Sequence, residues 1–163
     1  MGKKKHKKKK DQKQDPNSST VCTNRKAKRE FDILQQLECG IELRGSEVKS
    51  IRAGKISINE AYARVEDGQV WLVNVDINEY PQANRMNHEP KRRRRLLLHK
   101  REIRKFAESA SEKGLTLIPL SVYFTRGIVK VKLAIGRGRR TYDKREKLRK
   151  DADKREMQQI KRP

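Results

Sequence analysis

Charge is so unevenly spread along this 163-residue chain that only its middle can build a core. Of 43 Lys and Arg against 21 Asp and Glu, residues 1–28 hold 11 basic and 2 acidic, and residues 137–163 hold 12 and 5. The 108 residues between hold 20 and 14, and the run Lys91–Arg95 alone supplies 5 of those 20 cations. Like charges at this density oppose compaction, so the two ends read as tails and the run as a cationic loop. A net charge of +22 calls for a polyanion to neutralise it, and RNA is the commonest one inside a cell.

Apolar residues make up 33% and charged residues 39%, a shortfall of core material that sits mainly in the tails. No run of 18 apolar residues exists to span a bilayer, and no apolar stretch follows the N-terminal charges as a secretory signal requires. Cys22 and Cys39 are too few for a disulfide framework or a four-ligand zinc site; they read as reduced thiols of a cytoplasmic protein. Charge alone would suit a membrane surface, but neither a lipidation motif nor a strongly amphipathic helix is present to hold the chain there.

Residues 1–23 read as a disordered Lys-rich arm, since Lys3–Lys5, Lys7–Lys10 and the polar residues that follow offer nothing to offset the entropy of ordering. A domain over 24–138 comes next. Phe31, Ile33, Leu37, Cys39, Ile41 and Leu43 recur at odd positions, which predicts a long half-buried strand with a bend or bulge at Gly40. Ser46 is placed to cap a short helix carrying Val48 and Ile51 and closed by Gly54. Asp67-Gly68 predicts a hairpin between strands 56–65 and 69–77. Residues 78–95 read as a long loop, of the kind that usually carries function. From 97 to 113 the period becomes helical, with His99, Ile103, Phe106, Ala107 and Ala110 on one face and Gly114 after it. Strands 115–124 and 128–136 follow around Arg126-Gly127, with Pro119 marking an edge or a bulge. Five or six antiparallel strands with one short and one longer helix predict a mainly β protein. The class expected is a small oligonucleotide-binding-like barrel with peripheral helices and disordered basic tails.

No catalytic constellation emerges. His6, His88 and His99 are scattered, no CxxC or HxxxH would hold a metal, no nucleophile has a base beside it, and no cofactor is expected. A binding protein is favoured over an enzyme. Three basic elements remain: Arg25, Lys26, Lys28 and Arg29; Lys91–Arg95 running into Lys100, Arg101, Arg104 and Lys105; and the tail, 139–163. Arginine forks onto phosphates and stacks on bases, so the Arg-rich loop has the better chemistry for a structured RNA. In the tail, Asp143 and Glu146 resemble a capping box, but the apolar residues make no stripe. The tail is expected to be disordered alone and helical against RNA, with Tyr142 at its root to stack or to close the barrel.

Several segments together resemble the SsrA-binding (small protein B) family: Asn24–Arg29, Glu38–Ile41, GSEVKSIRAGKISINEAYARV (45–65), Asn84–His88, RRLLLHKREI (94–103), KGLTLIPLSVYF (113–124) and Tyr142–Arg145. The resemblance implies an oligonucleotide-binding-like barrel. It also implies binding to the tRNA-like domain of transfer-messenger RNA and its delivery, with elongation factor Tu on the aminoacylated RNA, to stalled ribosomes for trans-translation. It places RNA binding on Asn24, Glu38, Leu97 and His99, with Arg25, Lys26, Arg94, Arg95, Lys100 and Arg101 holding phosphates nearby. It sends the tail into the empty mRNA channel, where Tyr142, Asp143, Lys144, Arg145 and Ile160 would meet the decoding centre and channel. Tyr142 and His99 stand where some members carry His and Asn, Asp153 stands near a Trp of others, and residues 1–20 match nothing. A constitutive ribosomal or general RNA-chaperone protein on the same barrel is the competing reading.

Overall fold

The computed structural model describes residues 18–112 and 114–139, together with positions 145, 148–150, 152, 153 and 157. Strands β1 (Ser18–Thr23), β2 (Phe31–Ile41), β3 (Ile56–Ser57), β4 (Tyr62–Glu66), β5 (Gln69–Val73), β6 (Asp76–Ile77), β7 (Arg94–Leu97), β8 (Leu115–Thr125) and β9 (Ile128–Gly138) alternate, among the described residues up to 139, with three α-helices. These are α1 (Arg25–Glu30), α2 (Gly45–Arg52) and α3 (Lys100–Ser111); a 3-10 segment covers Pro81–Met86. The protein is mainly β, with helices at its periphery. Among the described residues the pairings are antiparallel: one sheet runs β1-β8-β4-β5-β7-β2-β9, with β9 pairing back onto β8, and β3 pairs with β6 in a second, two-stranded sheet. The circuit through β8, β4, β5, β7, β2 and β9 therefore returns on itself, with β4 and β8 meeting at the single pair Ala63 and Leu117.

Period-two alternation places the main core. Cys39, Val70, Leu72, Leu96, Leu117, Val131, Leu133 and Phe106 of α3 are all buried in one cluster. The six apolar odd positions from Phe31 to Leu43 do not all share it, because the register slips between Ile33 and Gln35 rather than at Gly40. The extra residue, Leu34, flips the strand, so Phe31 and Ile33 pack with Ala27 of α1, Ile118, Leu120 and Ala134 in a second cluster. In β8 the extra residue is Leu120, beside Pro119, as that proline implies for a bulge. The two bulges let α1 cover one end of the outer face of β2, β9 and β8. The other end is left open.

Several boundaries change. Ser18–Thr23 of the expected arm pair with Ser121–Thr125, because the exposed edge of β8 supplies the backbone partners that a polar segment lacks locally. Helix α1 was not legible: its Asn24 cap bonds the Ala27 amide at 2.9 Å, and only Ala27 of its six residues is buried. Asn74, at φ +58, divides the second hairpin strand. Ser46 does not cap α2; its hydroxyl meets His88 Nδ1 at 3.0 Å, and Glu47 instead accepts from the Arg44 amide at 2.6 Å. Gly54 does end that helix, at φ +72.

Candidate nucleic-acid interface

The open end of the outer face is built by register. On β2, Glu38 stands opposite Lys132 of β9, which stands opposite Ser121 of β8. One step on, Gly40, Lys130 and Tyr123 form the next row. The Tyr123 hydroxyl donates to Glu38 Oε2, while Lys130 Nζ lies 3.8 Å from Oε1. Partial burial, and then the bond to Glu38, raise the Tyr123 phenol above its ordinary value, so it remains a donor. Each oxygen of the carboxylate is thus oriented by its own partner, and Glu38 stays exposed with acceptor capacity to spare.

Leu97 extends this patch. It pairs with Gly40, and a Cβ on that glycine would sit 3.2 Å from the Leu97 Cβ. The bare backbone lets the leucine lie over β2, 49% exposed, an apolar side chain set among charges. His99 follows as the exposed N-cap residue of α3, its amide held by Glu102 at 2.9 Å; it is not on the apolar face of the helix. Lys100, Arg101, Arg104 and Lys105 continue along α3, all exposed and none with a carboxylate partner among the described residues. Cations in a first helical turn oppose the helix dipole by about 0.3–1 kcal/mol each. Lys100 and Arg101 accept that cost where an incoming polyanion would reverse it.

The structure separates the remaining expected residues. Asn24 is buried, and its amide nitrogen donates to the carbonyls of Ile58 (3.0 Å) and Pro119 (3.2 Å), so it fastens α1 to the sheet rather than facing a ligand. Arg25 is exposed on α1, and Lys26 is held by Glu60 at 2.6 Å.

The cationic run is the larger correction. Arg92 and Arg94 converge on Glu47, with contacts of 2.6 and 2.8 Å from Arg92 and 2.9 Å from Arg94. Arg93 pairs with Glu66 and Arg95 with Glu42, each at 2.8 Å. Arg94, expected to hold phosphate, is fully buried and bonded to the carbonyls of Val75 (2.7 Å) and Pro90 (2.8 Å). A run of five cations reads as a free loop only while the distant carboxylates that meet it are unknown. Burial would raise the Glu47 carboxyl, but bonds from Arg92, the Arg44 amide and Arg94 outweigh it and hold it below its ordinary value. Burial lowers the Arg94 guanidinium.

Sequence reading missed Tyr123, Lys130 and Lys132 as site residues. The alternation of Val129, Val131, Leu133 and Ile135 did point the two lysines outward, but only strand pairing sets them beside Glu38. Tyr142, Asp143, Lys144 and Ile160 lie outside the described residues; Arg145 is exposed and helical. Burial pushes the Cys39 thiol up to about 12, and Cys39 donates to the Val131 carbonyl, so it is a core thiol rather than a nucleophile.

An antiparallel sheet with an open cationic face, an exposed leucine and oriented hydrogen-bonding groups defines a β-sheet protein of the nucleic-acid-binding class. The SmpB protein family model matches residues 21–163, and this chain belongs to that family. The SsrA-binding protein of Mesorhizobium japonicum is 51% identical over 135 residues, 82% of this chain and 85% of that protein. That of Chlorobaculum tepidum is 51% identical over 146 residues, 89% and 93% of the two chains. A solved chain from structural work on tmRNA-SmpB in the bacterial ribosome superposes with a TM-score of 0.64 at 44% identity. It covers 78% of this chain and 94% of that one.

Proposed function

We propose that this protein binds the tRNA-like domain of transfer-messenger RNA and brings it to stalled ribosomes for trans-translation, acting as a non-enzymatic cytoplasmic factor. Family membership across residues 21–163 carries the reading. The chemistry of the outer face supports it. Glu38, held by Tyr123 and Lys130, accepts from a base edge or a ribose 2′-hydroxyl; Leu97 packs against an unstacked base or sugar; Lys130, Lys132 and the α3 cations meet phosphates. We read the strand circuit as a small barrel of the oligonucleotide-binding kind, with residues 139–163 as the element that enters the mRNA channel. Elongation factor Tu would join through the aminoacylated RNA. Among the described residues no helix is long and apolar enough to cross a membrane.

The test is to capture RNA on the full chain in stringent salt and sequence it. Enrichment of one RNA with a tRNA-like domain is expected. Mixed ribosomal and messenger RNA without enrichment would instead favour a general RNA chaperone.

A further inference from the structure

The outer face that carries Leu97 does not stop at β7. Arg95 lies two residues before Leu97 and therefore on the same side of the strand. Across the sheet Arg95 stands opposite Trp71 of β5, and Trp71 stands opposite Arg64 of β4. The three form a lateral Arg-Trp-Arg row. Arg93 reaches over it, its guanidinium carbon 5.5 Å from the centre of the indole ring. Trp71 is half-buried, while the side chains of Arg64, Arg93 and Arg95 are 46%, 51% and 42% exposed. Three arginines face two carboxylates: Glu66 holds Arg64 at 2.7 Å and Arg93 at 2.8 Å, and Glu42 holds Arg95 at 2.8 Å.

We propose that this row is a second RNA subsite, continuous with Leu97, which takes an unpaired nucleotide with its base on Trp71 and its flanking phosphates on Arg64, Arg93 and Arg95. Its position rests on reading the Leu97 face as an RNA interface; its chemistry stands alone. An aromatic face edged by cations is the platform that single strands use, because every base has a π-face and every linkage a charge. Exposed ion pairs contribute little, so the guanidinium donors exchange a carboxylate for a phosphate at small cost and gain a bidentate partner. Arginine rather than lysine at all three positions suits that exchange, and the excess of cations over carboxylates selects a polyanion over an acidic side chain. From β2 to β5 is two strand spacings, about 10 Å, so one RNA strand crossing the face would meet both places.

Trp71 is the chain's single tryptophan, so intrinsic fluorescence reports this row alone. The full chain is titrated with an oligouridylate of about 12 nucleotides, within the site sizes of such folds, and with a blunt RNA duplex of the same length. Binding is followed independently by anisotropy of labelled RNA. The single strand is expected to quench Trp71 saturably at the midpoint given by anisotropy, and the duplex to bind with little quenching. Trp71→Leu, checked for folding by circular dichroism, should weaken single-strand binding roughly 5- to 140-fold, the range of one base–aromatic stack. The slope of log K against log salt should not change in that variant, whereas Arg64→Gln and Arg95→Gln should each flatten it by about 0.7. Anisotropy reporting binding while Trp71 stays unquenched in the parent overturns the subsite, as does a folded Trp71→Leu chain that binds like the parent. The two readings fail separately. Capture of the tRNA-like RNA with a silent Trp71 removes only the subsite; quenching by oligouridylate in a chain that does not select that RNA removes only the proposed function.

Discussion

Replacing Glu47 with Ala should destabilise the protein far more than the loss of an ordinary ion pair. The carboxylate is fully buried on α2 and accepts from both Arg92 and Arg94 as well as from the Arg44 amide. Arg94 beside it is equally buried, so truncating Glu47 strands a cation where water does not reach. Breaking one side of such a pair costs about 3–5 kcal/mol, against a total stability of roughly 5–15 kcal/mol for a domain. At roughly 4 °C per kcal/mol for a body of this size, the melting temperature should fall by about 12–20 °C. Removing the charge from both sides distinguishes this account from simple loss of packing. Glu47→Leu combined with Arg94→Met leaves no buried charge at the Glu47–Arg94 contact, and Arg92, its side chain 21% exposed, can turn to solvent. The double variant should recover at least half of the loss, since apolar replacement of a buried pair is often close to neutral. Urea and thermal melts of the parent, both single variants and the double variant supply the coupling. A Glu47→Ala loss below about 1 kcal/mol, or a double variant that loses the sum of the two singles, would refute the argument. The same latch anchors β7, so RNA affinity should fall wherever stability does.

Three further outcomes follow from the structure. Because the folded-state pKa of Glu47 lies below its ordinary value of 4.5, its stabilisation is complete above that value and disappears as pH falls through the folded pKa; the parent's melting temperature should therefore drop more steeply than that of Glu47→Gln as the pH is lowered below 4.5. Leu97→Asp, exposed and so harmless to folding, should leave the melting temperature within about 2 °C while abolishing tight capture of the tRNA-like RNA in a filter-binding assay. Truncation after Gly138 should keep most of that RNA affinity and eliminate tagging in a reconstituted translation assay; loss of the RNA complex itself would deny the division of labour between sheet and tail.

Much of this protein was legible in its residues, because local physics acts over a few positions. Side chains alternate along β2 and β9, Asp67 and Gly68 sit at positive φ in the hairpin, and Gly54 ends α2 at positive φ. Each follows from the chain's own sterics and the direction of its side chains. The motif strings also identified the family before any contact was known.

What the sequence left undecided depends on partners far away in the chain. Whether Ser18–Thr23 is arm or strand depends on the free edge of β8, about a hundred residues later. Whether a bulge falls at Gly40 or Leu34 depends on which cluster, inner or outer, has room for Phe31 and Ile33. The cationic run shows the difference most clearly. Composition counted five adjacent positive charges; tertiary structure sent Arg94 inward to Glu47 and set Arg93 and Arg95 around Trp71. A sequence counts charges, but the desolvation and pairing that determine what each charge does arise only when distant strands meet.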